Sequence, residues 1–171
     1  MNPTFLLEDY TKSFRTNLES IKVPNPCNYL EIGIWEGRSA VHMLENYLTD
    51  ENSRYTGIEK NPLGYMLDNL KPWKYKTTII IGDSRYSDNR HALDKDSMYD
   101  MIYIDGCHDG DVVMHDSLYA LCNIKKNGIV IWDDYAGEQF GVKSAVDDVL
   151  KILDIDYEVL FNNWQLGIRV T

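Results

Sequence analysis

Cysteine is scarce in this chain of 171 residues: three thiols, Cys27, Cys107 and Cys122, lie far apart in sequence. An odd number without metal-ligand spacing excludes a disulfide framework and a structural zinc site, and points to reduced thiols in the cytoplasm. Positive charge is scarce too. Against 27 Asp and Glu there are 17 Lys and Arg, leaving a formal charge of −10. That balance disfavours a broad nucleic-acid or anionic-membrane footprint, though it leaves room for a local basic patch. No apolar run nears the roughly 20 residues of a membrane span. Met1–Tyr10 also lacks the apolar core and basic flank of a signal peptide. Proline is limited to five residues, and no repeat, low-complexity tract or linker divides the chain. What is present is 44% hydrophobic and 12% aromatic content in the length of one domain, enough to bury a core.

Five short apolar runs supply the architecture. Each closes on an acid: YLEIG on Glu31, YTGIE on Glu59, TIIIGD on Asp83, MIYID on Asp105 and GIVIWDD on Asp133 and Asp134. The runs are continuous and rich in β-branched residues, as buried parallel strands are. The spacing predicts strands over 28–33, 54–59, 77–81, 99–104 and 128–132, alternating with helices over 37–48, from Asn61-Pro62, over 111–124 and over 142–153. An N-terminal helix is expected over 4–21, ended by Val23-Pro24-Asn25-Pro26. Two last strands, 157–161 and 165–170, turn at Asn162-Asn163 as an antiparallel pair. The expectation is a single α/β domain over 1–171, with N-terminal helix and connector in 1–26 and the core in 27–171. It is a three-layer Rossmann-like sandwich on a mostly parallel seven-stranded sheet with an antiparallel terminal hairpin. In an open parallel sheet the ligand crevice lies outside the carboxyl ends of the strands, so all five acidic positions collect along one edge. Such an edge suits hydroxyls, amines or a divalent cation, and suits a bare polyphosphate poorly.

The segment Glu31-Ile-Gly33-Ile-Trp-Glu-Gly37-Arg-Ser39 joins a strand to a helix start. Two glycines allow a sharp turn and a close backbone approach to a ligand at the free N–H groups of the helix. No third glycine completes the dinucleotide pattern. Glu59, at the end of the next strand, is placed to accept both hydroxyls of a ribose. The structural alternatives are a plain tight turn for Gly33 and Gly37 and a solvated strand end for Glu59; together, in these elements, the residues point to a nucleoside ligand.

These residues resemble a known family. YLEIGIWEGRSA is similar to the first motif of class I S-adenosylmethionine-dependent methyltransferases, TGIEKNP to the second and IIIGDS to the third. YDMIYIDGCHDGDVVMHDSLYALCNIKKNGIVIWDDY resembles the IDG-x-H…DD-Y signature of the branch holding sugar and macrolide O-methyltransferases. The resemblance runs from about Asn28 to Leu153. It implies that Glu31 and Gly33 hold the methionine end of S-adenosylmethionine, Glu59 the ribose, and Asp83 and Ser84 the adenine. Trp35 is bulkier than the usual loop residue and would partly cover the ligand. Asn127 replaces a usual glycine in a turn that Asn tolerates.

Asp105 closes the fourth strand and Asp133 with Asp134 the fifth, so three carboxylates can converge on neighbouring strands. Three oxygens with room for water suit Mg²⁺, and metal-dependent relatives place ligands at these strand ends. The structural alternative is that Asp105 and Asp133 line the cofactor pocket without metal while Asp134 caps the next segment. Relatives carry a base nearby, a lysine three residues after the metal Asp or an acid two residues after it. The latter position is Cys107 here, so His108, titrating near neutrality, is assigned as base beside Asp105; its alternative is a loop-fixing hydrogen-bond donor. His42 and His91 read as surface or packing residues, Asp116 as structural, Trp132 and Tyr103 as core, and Tyr135 as a flank for substrate.

The expected function is methyl transfer from S-adenosylmethionine to oxygen on a small hydroxylated molecule or sugar, with a divalent metal such as Mg²⁺ assisting. The rivals are a metal-independent N- or O-methyltransferase and a non-catalytic cofactor-binding module of the same fold. Little sequence is left for a lid, so the expected pocket is open, or completed by a second subunit of a homo-oligomer.

Overall fold

The computed structural model describes residues 3–86, 98–138 and 140–171. Seven strands form one sheet: β1 Asn28–Ile32, β2 Arg54–Glu59, β3 Thr77–Ile81, β4 Tyr99–Ile104, β5 Ile124–Trp132, β6 Tyr157–Asn162 and β7 Leu166–Val170. Their spatial order is β3-β2-β1-β4-β5-β7-β6. β1 to β5 pair in parallel, and β7 runs antiparallel to both β5 and β6. The order reverses direction between β1 and β4, which is where an open sheet of this kind leaves its crevice.

Period-2 alternation divides the core. Leu30, Ile32, Ile102, Ile104, Val130 and Trp132 face one layer, packed by α4 (Gly110–Asn123) and α5 (Val142–Leu153). α5 buries Val142, Ala145, Val146, Val149 and Leu150, a single helical stripe. Tyr29, Met101, Tyr103, Ile129 and Ile131 face the other layer, covered by α1 (Lys12–Glu19), α2 (Arg38–Asn46) and α3 (Met66–Leu70).

The expected architecture is found, with local departures at element ends. α1 begins at Lys12 and not near Thr4, because the preceding backbone is committed elsewhere. The N–H groups of Leu6 and Leu7 donate to the Glu36 carboxylate at 2.8 and 3.2 Å, and Thr4 N–H donates to Asn69 Oδ1 at 2.8 Å. Asp9 Oδ1 then accepts from Thr11 N–H and Oγ, a local turn that competes with earlier helix. α3 starts five residues after Asn61, since Gly64 adopts a left-handed φ of +52°. β5 begins at Ile124 directly after α4, and its irregularity near Lys125–Gly128 is absorbed by Asn127 at φ +64°. His91 lies outside the described residues.

Candidate active site

A cavity of about 940 Å³ opens at the carboxyl ends of the parallel strands, within the range of roughly 300–1,000 Å³ usual for small-molecule sites. Its floor is the β1–β4 junction. There Gly33 takes φ +90°, and a Cβ added to it would lie 2.1 Å from the Asp105 carbonyl oxygen and 2.8 Å from Gly106 Cα. Gly33 is therefore required by the backbone of β4. Gly37, at φ +84° on the N-cap of α2, has nothing closer than 3.8 Å to such a Cβ; its requirement is conformational alone.

Glu59 fastens the loop between them. Its Oε2 accepts the N–H groups of Ile34 and Trp35 at 2.8 and 2.7 Å, and its Oε1 accepts Asn61 N–H at 2.7 Å. A carboxylate offers about four acceptor sites, so these three bonds leave about one unused, and Glu59 lines the cavity. Trp35 holds φ +53° and leans on Tyr10 with ring centroids 5.8 Å apart, part of the cavity mouth.

Glu31 is placed differently from its expected contact with a ligand. It is fully buried beneath the loop, off the cavity wall, accepting from Ser39 Oγ and from Tyr55 OH. Burial pushes its carboxyl up to about 8, so at neutral pH it is held largely as the neutral acid. The cause lies in the register: Glu31 pairs with Gly57 and Tyr103, one pleat below the level of Gly33, Glu59 and Asp105. Asp83 and Ser84 do line the cavity. Asp83 is gripped by Arg85 through Nε at 3.0 Å and NH2 at 2.8 Å, and by Lys60 at 3.0 Å. Those cations hold its carboxyl well below the usual carboxylate range.

On the β4–β5 side, Asp105, His108 and Asp134 each offer a ligand atom within 4.8 Å of the other two. His108 Nε2 lies 2.8 Å from Asp134 Oδ2, and its ring packs on Phe140 at 4.3 Å. That bond raises the imidazole above its ordinary value. Asp134 reaches it from a left-handed backbone at φ +53°. Burial, with Asp133 and Asp134 nearby, holds Asp105 well above the carboxylate range. Asp133, expected as the third oxygen ligand beside Asp105 and Asp134, stands outside this triad: its Oδ2 accepts from Tyr103 OH at 2.5 Å. His108 occupies the third place.

Five residues assigned no site role from sequence bear on this one. Tyr103, read as core, brings its hydroxyl to both Asp105 and Asp133. Trp164 and Tyr10 rim the mouth, and Thr11 and Ser13 line the wall below it. Tyr103 was legible by parity, since residues 103, 105 and 133 share one sheet face. Trp164 carried no such signal. Tyr135, expected beside substrate, turns back onto α5, donating to Asp147 Oδ1 at 2.6 Å and accepting from Lys143 at 3.0 Å. His42 bonds Asn46 on α2, His115 is exposed on α4, and Asp116 is buried. Among the described residues no helix is long and apolar enough to cross a membrane.

Comparison with known proteins gives this geometry a lineage. No curated protein matches the chain. Solved structures do. The O-methyltransferase TomG from Streptomyces achromogenes, involved in tomaymycin synthesis and solved with S-adenosylmethionine, is 16% identical with a TM-score of 0.64, over 85% of this chain and 74% of TomG. CalS11, the TDP-rhamnose 3'-O-methyltransferase of calicheamicin biosynthesis, is 18% identical with a TM-score of 0.66, over 92% and 76%. Aeropyrum pernix fibrillarin, with natively bound S-adenosylmethionine, is 18% identical with a TM-score of 0.66, over 93% and 74%. At these identities the likeness establishes the fold. A family model described as a methyltransferase domain matches residues 30–135, which hold the glycine loop, Glu59, Asp105, His108 and the two carboxylates just after β5, and the chain belongs to that methyltransferase family.

Proposed function

We propose that this protein binds S-adenosylmethionine and transfers its methyl group to an oxygen of a small hydroxylated acceptor, a sugar or similar polyol. One observation carries the reading: a single cavity holds the glycine loop pinned by Glu59 on one side and the His108–Asp134 pair on the other. The residues fit the cofactor. Glu59 keeps an acceptor site open beside a nucleoside-sized wall, and Gly33 keeps the floor free of side chain. Glu31 acts from beneath by holding Ser39, which does line the cavity; Gly37 lets the chain enter α2, and Asp83 with Ser84 borders the far wall.

The bound sulfonium supplies an activated methyl group, so the protein's own work is to orient and to move one proton. Asp134 accepts from His108 Nε2–H in the neutral imidazole, which leaves the Nδ1 lone pair to take the acceptor's hydroxyl proton. Asp105 sits between that histidine and the cofactor side, with its Oδ2 toward Tyr103.

The convergence of Asp105, His108 and Asp134 favours a second reading, in which these residues hold a divalent cation that acidifies the acceptor hydroxyl. Two carboxylates and an imidazole suit Mn²⁺ or Fe²⁺ at least as well as Mg²⁺. In that case His108 is a ligand and not the base.

The test is calorimetric titration with S-adenosylmethionine on the wild type and on Glu59→Ala, followed by a panel of hydroxylated acceptors with and without EDTA. Saturable binding that Glu59→Ala weakens more than tenfold supports the cofactor. Absence of binding to the wild type overturns the proposal. Turnover abolished by EDTA selects the metal reading, and turnover indifferent to EDTA removes it.

A further inference from the structure

Tyr103 lies inside β4 with no exposed surface, its ring stacked on Phe14 of α1 at 4.1 Å and 19°. Its hydroxyl lies beneath the cavity, 2.5 Å from Asp133 Oδ2 and 3.1 Å from Asp105 Oδ2, and both of those acids line it. A phenol carries one proton, so one donor serves two carboxylates on adjacent strands. Register makes this unavoidable: Tyr103 pairs with Ile131, and Asp105 and Asp133 follow two residues later on the same face.

The hydroxyl is itself held. Gln165 Nε2, from a fully buried side chain before β7, donates to it at 3.4 Å. Gln165 Oε1 in turn accepts from Asn17 Nδ2 of α1 at 2.9 Å, and Asn17 and Asn163 exchange amide bonds at 2.8 and 3.2 Å. A polar chain therefore runs from α1, through the β6–β7 turn, to both carboxylates. Buried networks of this kind fix one geometry when every member is satisfied.

We propose that Tyr103, backed by Gln165 and Asn17, is the positioning residue of the active site: its hydroxyl clamps Asp105 and Asp133 together and so keeps the Asp133 carboxylate off the His108–Asp134 pair. The consequence is a division of labour between the two acids of β5. Asp134 faces His108 and the acceptor, while Asp133 is a brace. The clamp also ties α1, whose N-terminal Thr11 and Ser13 line the cavity, rigidly to the acids across from it. Its kinetic arm rests on the methyltransferase reading; its geometric arm does not.

The test compares crystal structures of the wild type, Tyr103→Phe and Gln165→Leu, with S-adenosylmethionine titrations and steady-state kinetics on each. Tyr103→Phe keeps the ring on Phe14 and removes only the clamp. The expected result is an Asp133 carboxylate displaced by about 1 Å or more, a spacing error that matters at such sites. Turnover should fall about 10- to 100-fold, as for lost outer-shell partners generally, while KM and affinity for S-adenosylmethionine stay within twofold. Gln165→Leu should give the same change in smaller measure, and decides the matter if Tyr103→Phe does not fold. Carboxylates that stay in place, or that move with turnover unchanged, overturn the proposal. A wild type that binds no S-adenosylmethionine refutes the methyltransferase reading instead, and the crystal comparison still decides whether Tyr103 positions the acids.

Discussion

Replacing Gly33 and Gly37 separately by alanine tests the architecture of the floor, because the two glycines differ in one respect only. Both hold left-handed φ, +90° and +84°, and for an L-residue that conformation costs about 1–2 kcal/mol. At Gly37 that is the whole cost, since the new methyl would meet only Leu70 and Met66 side chains at 3.8 Å. At Gly33 the methyl would fall 2.1 Å from the Asp105 carbonyl oxygen and 2.5 Å from its carbon. These are backbone atoms, so relief requires β1 and β4 to part at the switch point. Overpacking of this kind adds about 1–3 kcal/mol or more. Gly33→Ala should then lose about 2–5 kcal/mol against about 1–2 for Gly37→Ala, a large share of the roughly 5–15 kcal/mol of a typical domain. Urea denaturation reads the difference. With a slope of about 1–3 kcal/mol per molar, the overpacking term of about 1–3 kcal/mol should separate the two midpoints by about 0.3–3 M. Equal midpoints, or a Gly33→Ala protein within 1 kcal/mol of wild type, would show that the loop does not rest on Asp105 as described.

Glu31 makes stability fall with rising pH. Its carboxyl is near 4.5 when unfolded and about 8 when folded, so between those values the folded chain holds a proton that the unfolded chain has released. Its contribution is complete below pH 4.5 and is lost as pH passes 8. Glu31→Gln, which cannot ionise, should flatten urea midpoints measured at pH 5, 6.5 and 8; an unchanged slope would refute the buried neutral acid. His108→Ala should lower turnover about 10²- to 10⁴-fold with S-adenosylmethionine affinity unchanged, and full retained turnover removes His108 from the base role. Asp134→Asn removes the partner that raises His108, so the acidic limb of the rate profile should move to lower pH; a limb that stays put assigns it to another group.

The sheet was readable because its strands announce themselves: Thr77–Ile81 is β-branched throughout and Tyr99–Ile104 is apolar but for Asp100, and their predicted bounds match the observed ones. Helix α5 was equally legible from its stripe. The N-terminal segment was not. Its apolar residues Phe5, Leu6 and Tyr10 fall at helical spacing, yet the N–H groups of Thr4, Leu6, Leu7 and Thr11 around them are claimed by Asn69, Glu36 and Asp9, contacts 29 to 65 residues away for the first two partners. Periodicity measures what a segment could bury locally, and cannot register a distant carboxylate that offers its N–H groups a better partner.

The acids at the strand ends teach the same lesson about the site. Sequence placed six of them, at five strand ends, on one edge, and period 2 puts Glu31, Glu59, Asp105 and Asp133 on one face of the sheet. It did not say which would look outward. Glu31 sits one pleat too deep and is capped by Ser39 and Tyr55. Asp83 is neutralised by Arg85 and Lys60. Asp133 is taken by Tyr103. Glu31 lies off the cavity wall, and Asp83 and Asp133 line it with oxygens already engaged, which leaves Glu59, Asp105 and Asp134 to meet what enters. The selection was decided by partners from other elements: hydroxyls on α2, β2 and β4, and cations after β2 and β3. An acidic residue at a strand end is thus only a candidate until its register level and its nearest donor are known. In this protein the donors separate the carboxylates that can meet a ligand from those that make the place where they meet it.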